Sequence, residues 1–210
     1  YRWAMEHAGE VGGDPARLSV SVLNSVSLPR RNNGLRRAVV RLDLPPLPAT
    51  TLDSIVGDLL TAREDAAPLV SWAEAEARRY RDLLYLMHRL AEPQFDGLAL
   101  GTDPVVLGNG LGSVRLAERA ATGLAQACAA SGLKLATRRG GEEIRITGQR
   151  HTKKLKKLLQ DEGIVPWMRE RLPLVYSGTK LVAVADLWLA DGYAENGGYA
   201  LVWTDRPSLR

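Results

Sequence analysis

Two hydrophobic periods alternate along this chain of 210 residues, and their order sets the expected architecture. Leu35, Ala38, Val39 and Leu42 recur at i, i+3, i+4 and i+7, the spacing of one helical face, which leaves Arg36, Arg37 and Arg41 on the other. Pro29 suits the first turn of that helix because it has no N–H to leave unpaired, and Leu44-Pro45-Pro46 ends it. Leu52, Ile55, Val56, Leu59 and Leu60 hold a second helical register, which Thr51 is expected to cap and whose first turn carries Asp53. The period then falls to two. Residues 68–72 and 77–87 read as strands, the second as one continuous run through Arg79, Arg81 and Leu83. Two helices and a small antiparallel sheet thus predict an α+β unit closing near Arg89.

Residues 91–132 shift toward Gly, Ala and Pro and read as a connector, with Asn109-Gly110 marking a β-ribbon between Val105-Val106-Leu107 and Val114–Leu116. Further on, Leu133 and Leu135, then Ile144 and Ile146, alternate on either side of Gly140-Gly141, which predicts a hairpin. After Gly148 the period lengthens again. Leu155, Leu158 and Leu159 form one narrow apolar stripe on a helix expected to begin near Thr152. The run PLVYSGTKLVAVADLWLA predicts two strands about Ser177-Gly178, and YALVW one more. No segment repeats at a fixed period. The expected domains are 17–90, a connector over 91–132, and 133–206. Residues 1–16, which open YRWAME without an initiating methionine, read as the end of a linker from a preceding domain.

Composition changes this picture little. With 45% hydrophobic and 25% charged residues the chain is ordinary for a globular protein. It shows neither a signal peptide nor an apolar run of the eighteen or so residues that span a bilayer, so a cytoplasmic protein with no membrane partner is expected. Cys128 is the only cysteine and, set among small residues in AQACAAS, reads as a buried spacer. His7, His88 and His151 are too scattered for metal-ligand spacing, and no metal site is expected.

Charge changes it more. Residues 138–157 hold Arg138, Arg139, Arg145, Arg150, Lys153, Lys154, Lys156 and Lys157 against Glu142 and Glu143, a net +6. Residues 16–42 hold Arg17, Arg30, Arg31, Arg36, Arg37 and Arg41 and no acid, another +6. The whole chain is only +4, so the remainder is −8. Cations gathered in two places on an otherwise acidic chain point to a polyanionic partner. Lysines in the first turns of a helix also oppose its dipole, at a few tenths to about 1 kcal/mol each. A local rule broken without local gain marks a functional site, and clustered ammonium groups suit phosphate. Other residues have plainer readings. Trp167, Trp188 and Trp203 fit a core, Glu142 and Glu143 fit ion-pair partners that orient arginines, Arg78, Arg79 and Arg81 could pair with Glu74 and Glu76, and His151 suits an exposed loop or a phosphate contact.

Several of these stretches together resemble the tRNA(Ile)-lysidine synthetase family. RRGGEEIRITG, then KKLKKLLQDEGIVPWMRERLPLVY and LVAVADLWLA, are similar to its C-terminal domain, while LPRRNNGLRRAV and EARRYRDLLYLM are similar to its substrate-recognition domain. The resemblance covers roughly residues 17–203 and departs at Gln149-Arg150-His151-Thr152, where the family often has glycines. It implies an α+β fold whose second domain is an α/β sandwich like the B3/B4 fold of phenylalanyl-tRNA synthetase. It also implies a parent enzyme that uses ATP to adenylate C2 of the wobble cytidine of tRNA(Ile) and joins lysine there.

The family's ATP loop, Ser-Gly-Gly-x-Asp-Ser, does not occur among the Gly-Gly pairs at 12, 140 and 197. No catalytic residue and no cofactor are therefore assigned to this chain, and alone it is expected to be inactive, with ATP and lysine as substrates of the parent. Its expected part is to clamp the acceptor stem of tRNA(Ile). An A-form stem offers phosphates and 2′-hydroxyls rather than base edges, so Arg138, Arg139, Arg145, Arg150, Lys153, Lys154, Lys156 and Lys157 are the first candidate surface and Arg30, Arg31, Arg36 and Arg37 the second. Oligomeric state stays open between monomer and dimer. Two alternatives stand beside this reading: an interaction module whose cationic face docks an acidic protein, and an enzyme that holds a small phosphorylated substrate with Glu142 or Asp161 as base.

Overall fold

The computed structural model describes residues 16–63, 66, 68–118 and 120–209. The linker expected over 1–16 lies outside them except for Ala16. The chain divides into two units between Leu90 and Ala91, and both are α+β.

In the first unit, β1 (Arg17–Ser19) leads into α1 (Val20–Ser25), α2 (Leu28–Arg41) and α3 (Ala49–Ser54), then β2 (Leu69–Trp72), β3 (Ala75–Tyr80) and β4 (Leu83–His88). The sheet is antiparallel throughout, in the order β1-β4-β3-β2. Pro29 sits in the first turn of α2, and Leu35, Ala38 and Val39 are buried as their spacing required. They join Leu52, Ile55, Leu59, Trp72, Ala77, Leu84 and Leu86 in one apolar core. That burial, at about 25 cal/mol per Å² of apolar surface, is what holds these short helices in place.

Three local expectations change. The third helix starts at Ala49, before Thr51, with Pro48 in extended geometry as its cap and Pro48 O accepting from Leu52 N at 2.9 Å. It does not end as an α-helix: Ile55–Leu59 widens into a π turn, closed by Leu60 N donating to Ile55 O at 3.1 Å. The run 77–87 is two strands, broken by a two-residue turn in which Arg81 takes φ 56°. The Asp82 carboxylate fixes that turn by accepting from Ser21 N and from the Ser19 and Ser21 hydroxyls, each at 2.9 Å.

The second unit is built on a five-stranded antiparallel sheet. Its strands lie in the order Trp188–Leu189, Lys180–Val184, Leu174–Ser177, Leu133–Ala136, Ala99–Leu100. A three-stranded sheet pairs Ala200–Thr204 with Ser113–Ala117 and that with Val105–Val106, the ribbon marked by Asn109-Gly110. Residues 91–132 thus supply strands to both sheets instead of standing apart as a connector. Trp167 and Trp203 are buried, and Trp203 Nε1 donates to Leu111 O at 2.6 Å, whereas Trp188 is only half-buried.

The hairpin expected about Gly140-Gly141 does not form. Leu133–Ala136 pairs instead with Leu174–Ser177 over four residues, and Glu143–Ile144 pairs with Lys153–Lys154. Alternation says which face of a strand is apolar but not which strand lies beside it, and the longer central partner buries both Leu133 and Leu135.

Candidate nucleic-acid interface

The basic stretch folds as a loop, a short ribbon and a helix. Gly140 and Gly141 take φ 92° and 84°, a conformation that residues with a Cβ rarely adopt, and so carry the chain round the loop. Glu142 fastens it. Its Oε1 accepts from Arg139 N at 2.5 Å and Gly140 N at 2.7 Å, while Oε2 lies 3.3 Å from Arg138 Nε. That last approach is a charge pair without an aligned hydrogen bond, and both atoms are shielded from solvent. The main chain of Glu142 takes part as well, its carbonyl accepting from Leu155 N at 2.8 Å.

The ribbon places Glu143 opposite Lys154 and Ile144 opposite Lys153. The helix then runs over Leu155–Asp161 and buries Leu155, Leu158 and Leu159, as the spacing demanded. Its start is three residues later than expected, so Lys153 and Lys154 belong to the ribbon, and only Lys156 and Lys157 lie in the first turn. With seven residues and its first N–H already bonded to the Glu142 carbonyl, the helix offers side-chain charge rather than an open N-terminus.

The eight candidates differ in what they leave available. Arg139, Arg150, Lys153, Lys154, Lys156 and Lys157 are exposed, and among the described residues none meets a carboxylate within ion-pair distance. Arg145 is exposed too but pairs with Asp191, whose N–H donates to Arg145 O at 2.7 Å. Arg138 is largely enclosed beside Glu142. The Tyr176 hydroxyl feels the same loop: burial pushes its pKa up, Glu142 adds to that, and Arg139 offsets part of it. Exposed like charges this close repel one another, and a row of phosphates relieves that repulsion.

On the first unit, Arg30, Arg36 and Arg37 lie on the exposed side of α2. Arg31 does not join them freely, since its Nε donates to Leu23 O at 2.8 Å and its Nη2 to Asn24 O at 3.3 Å. Arg78 pairs with buried Glu76 through hydrogen bonds of 2.8 and 3.1 Å.

Several buried cations are legible only in three dimensions. Arg79 donates to Leu59 O, Leu60 O and Ala62 O from Nη1 and to Arg81 O from Nε. Arg169 Nε donates to Ile164 O at 2.8 Å, and Arg171 to Trp167 O and Ala91 O. Alternation in WMRERL placed Arg169 and Arg171 two residues apart but gave no sign that both turn inward. Cys128 is buried, and burial raises its thiol pKa against the smaller opposite effect of a hydrogen bond with the Ser177 side chain.

Each of the two α+β units thus presents an exposed group of arginines or lysines, a donor set whose chemistry suits a polyanion. Similarity to known proteins sharpens this. Residues 18–85 match the family model described as the TilS substrate binding domain, and residues 133–203 that of the TilS substrate C-terminal domain. The chain belongs to the tRNA(Ile)-lysidine synthase family. It is 34% identical over 189 residues to the tRNA(Ile)-lysidine synthase of Alkalilimnicola ehrlichii, covering 88% of this chain and 42% of that protein. It is 36% identical over 179 residues to that of Xylella fastidiosa, covering 82% and 39%, and 31% identical over 206 residues to that of Yersinia pestis, covering 91% and 44%. The chain thus spans about two-fifths of the length of these relatives. Among the described residues no helix is long and apolar enough to cross a membrane.

Proposed function

We propose that this chain is the tRNA-holding region of an ATP-dependent carbon–nitrogen ligase that joins lysine to the wobble cytidine of tRNA(Ile), and that it clamps the acceptor stem. The observation that carries this is the group of six exposed cations, Arg139, Arg150, Lys153, Lys154, Lys156 and Lys157, which have no ion pair among the described residues and lie within a match to a substrate domain. Arg145 adds a cation partly engaged by Asp191, and Arg138 supports the loop from behind. Arg36 and Arg37, with Arg30, form the second contact surface, and Arg31 braces it.

The chemistry suits a duplex end. A-form RNA hides its base edges in a deep major groove, so recognition falls on phosphates and 2′-hydroxyls, which Arg and Lys donors meet without reading sequence. Selection among tRNAs then rests with other parts of the enzyme. ATP and lysine bind outside this chain, which carries no Ser-Gly-Gly-x-Asp-Ser loop.

The test is a titration of the chain with tRNA(Ile), an unrelated tRNA and a free anticodon stem-loop at two salt concentrations. The proposal expects salt-sensitive binding to both whole tRNAs and little to the stem-loop. Salt-insensitive or absent binding to all three overturns it. Incubation with ATP, lysine and tRNA(Ile) should yield no lysidine, and any turnover would contradict the assignment of catalysis elsewhere.

A further inference from the structure

A carboxylate inside a cationic surface is ordinarily a cost to binding a polyanion, because it repels the phosphates and cancels a neighbouring charge. Glu142 is such a carboxylate. Yet its side chain is only 8% exposed, and the partners of that side chain belong to the basic stretch itself: Arg139 N and Gly140 N on one oxygen and Arg138 Nε beside the other. The carboxylate thus fastens the loop that carries Arg139, while the main-chain carbonyl of the same residue accepts from Leu155 N at the start of the helix that carries Lys156 and Lys157. Glu143, next in the chain, is exposed opposite Lys154 on the ribbon.

We infer that Glu142 is a positioning residue for the polyanion site, its side chain preorganising the loop that carries Arg139 so that its own negative charge is outweighed by the geometry it imposes. This rests on the reading above that the basic stretch binds tRNA. Two N–H groups in a glycine loop have many conformations to lose, and a charged acceptor that fixes both in advance removes that cost from the binding step.

The positioning role and simple electrostatics predict opposite signs. Removing one negative charge from this surface should tighten binding if charge alone matters. The full chain is titrated with tRNA as wild type, Glu142→Ala, Glu142→Gln and Glu143→Ala, with amide hydrogen exchange followed at Arg139 and Gly140. The expected result is that Glu143→Ala binds as tightly as wild type or more so, whereas Glu142→Ala binds about tenfold more weakly, the scale of one charge-assisted hydrogen bond. Glu142→Gln keeps an acceptor for the two N–H groups and should recover part of the loss. Exchange at Arg139 and Gly140 should rise in Glu142→Ala while protection in the five-stranded sheet is unchanged, which separates a loosened loop from a misfolded domain. Tighter binding by Glu142→Ala, or exchange at both amides equal to wild type, overturns the inference. If wild type itself shows no salt-sensitive binding, the tRNA reading fails and the positioning role fails with it, while unchanged exchange alone removes only the positioning role.

Discussion

Arg79 Nη1 stands 3.0 Å from Leu60 O, so a strand residue closes the carbonyl end of a helix. Leu59 O at 3.2 Å and Ala62 O at 2.6 Å share the same nitrogen. The π turn leaves carbonyls that no helical N–H can reach, and β3 carries Arg79 on the same side as Ala75 and Ala77, which join the core. Arg79→Ala should therefore destabilise the first unit by about 2–4 kcal/mol, since buried acceptors lose a charged donor. Arg79→Lys keeps the charge but not the planar fork and should recover less than half. Urea denaturation of both variants checks this.

Arg171 offers a contrast within one side chain. Its hydrogen bond to Trp167 O is buried and those to Ala91 O are partly so, whereas its ion pair with Glu92 spans 3.8 Å to a carboxylate that is 88% exposed. Glu92→Ala should change unfolding stability by less than about 0.5 kcal/mol, and Arg171→Met by more than about 2 kcal/mol. Equal effects in denaturant melts would contradict the ranking.

Gly112 has no room for a side chain. A Cβ there would sit 2.0 Å from Thr204 O, on the backbone of the strand that pairs with Ser113–Ala117, and the residue has φ +72°. Gly112→Ala should cost more than about 2 kcal/mol and lower the thermal midpoint. Gly97, at φ +80° with open space around it, carries only the conformational penalty, so Gly97→Ala should cost about 1 kcal/mol.

For the proposed tRNA surface, replacing Lys153, Lys154, Lys156 and Lys157 by Ala should flatten the dependence of log affinity on log salt, by up to roughly 0.7–0.9 for each phosphate no longer neutralised. An unchanged slope takes the ribbon and helix out of the interface.

Titration should show on the alkaline side. Burial raises the pKa values of Cys128 and Tyr176 in the folded chain. Their contribution is fully present below the unfolded values and is lost as pH rises through the folded ones, so stability should fall as pH climbs past the ordinary thiol value of about 8.5. Urea midpoints measured from neutral to alkaline pH should show the decline, and Cys128→Ala with Tyr176→Phe should lessen it.

Much of this chain was legible because its core follows period. Leu35, Ala38 and Val39, and again Leu155, Leu158 and Leu159, had to be buried on one side of a helix, and the cations between them had to face outward. The +6 segments, the α+β class and the family resemblance rest on the order of residues alone. Partnership was not legible in the same way. The alternation of Leu133 and Leu135 suited a local hairpin as well as it suited Leu174–Ser177, because strand pairing depends on which partner completes the sheet. Nor could charge alone tell Arg139 from Arg79 or Arg171. Whether a guanidinium meets solvent or a carbonyl depends on what the remote chain brings beside it, and helix ends such as that at Leu60 exist only once the helices and sheet have packed. Sequence by itself determined where the charge lies and which faces are apolar; tertiary structure decided which charges remain outward, because buried carbonyls must be satisfied by whichever donors folding places within reach.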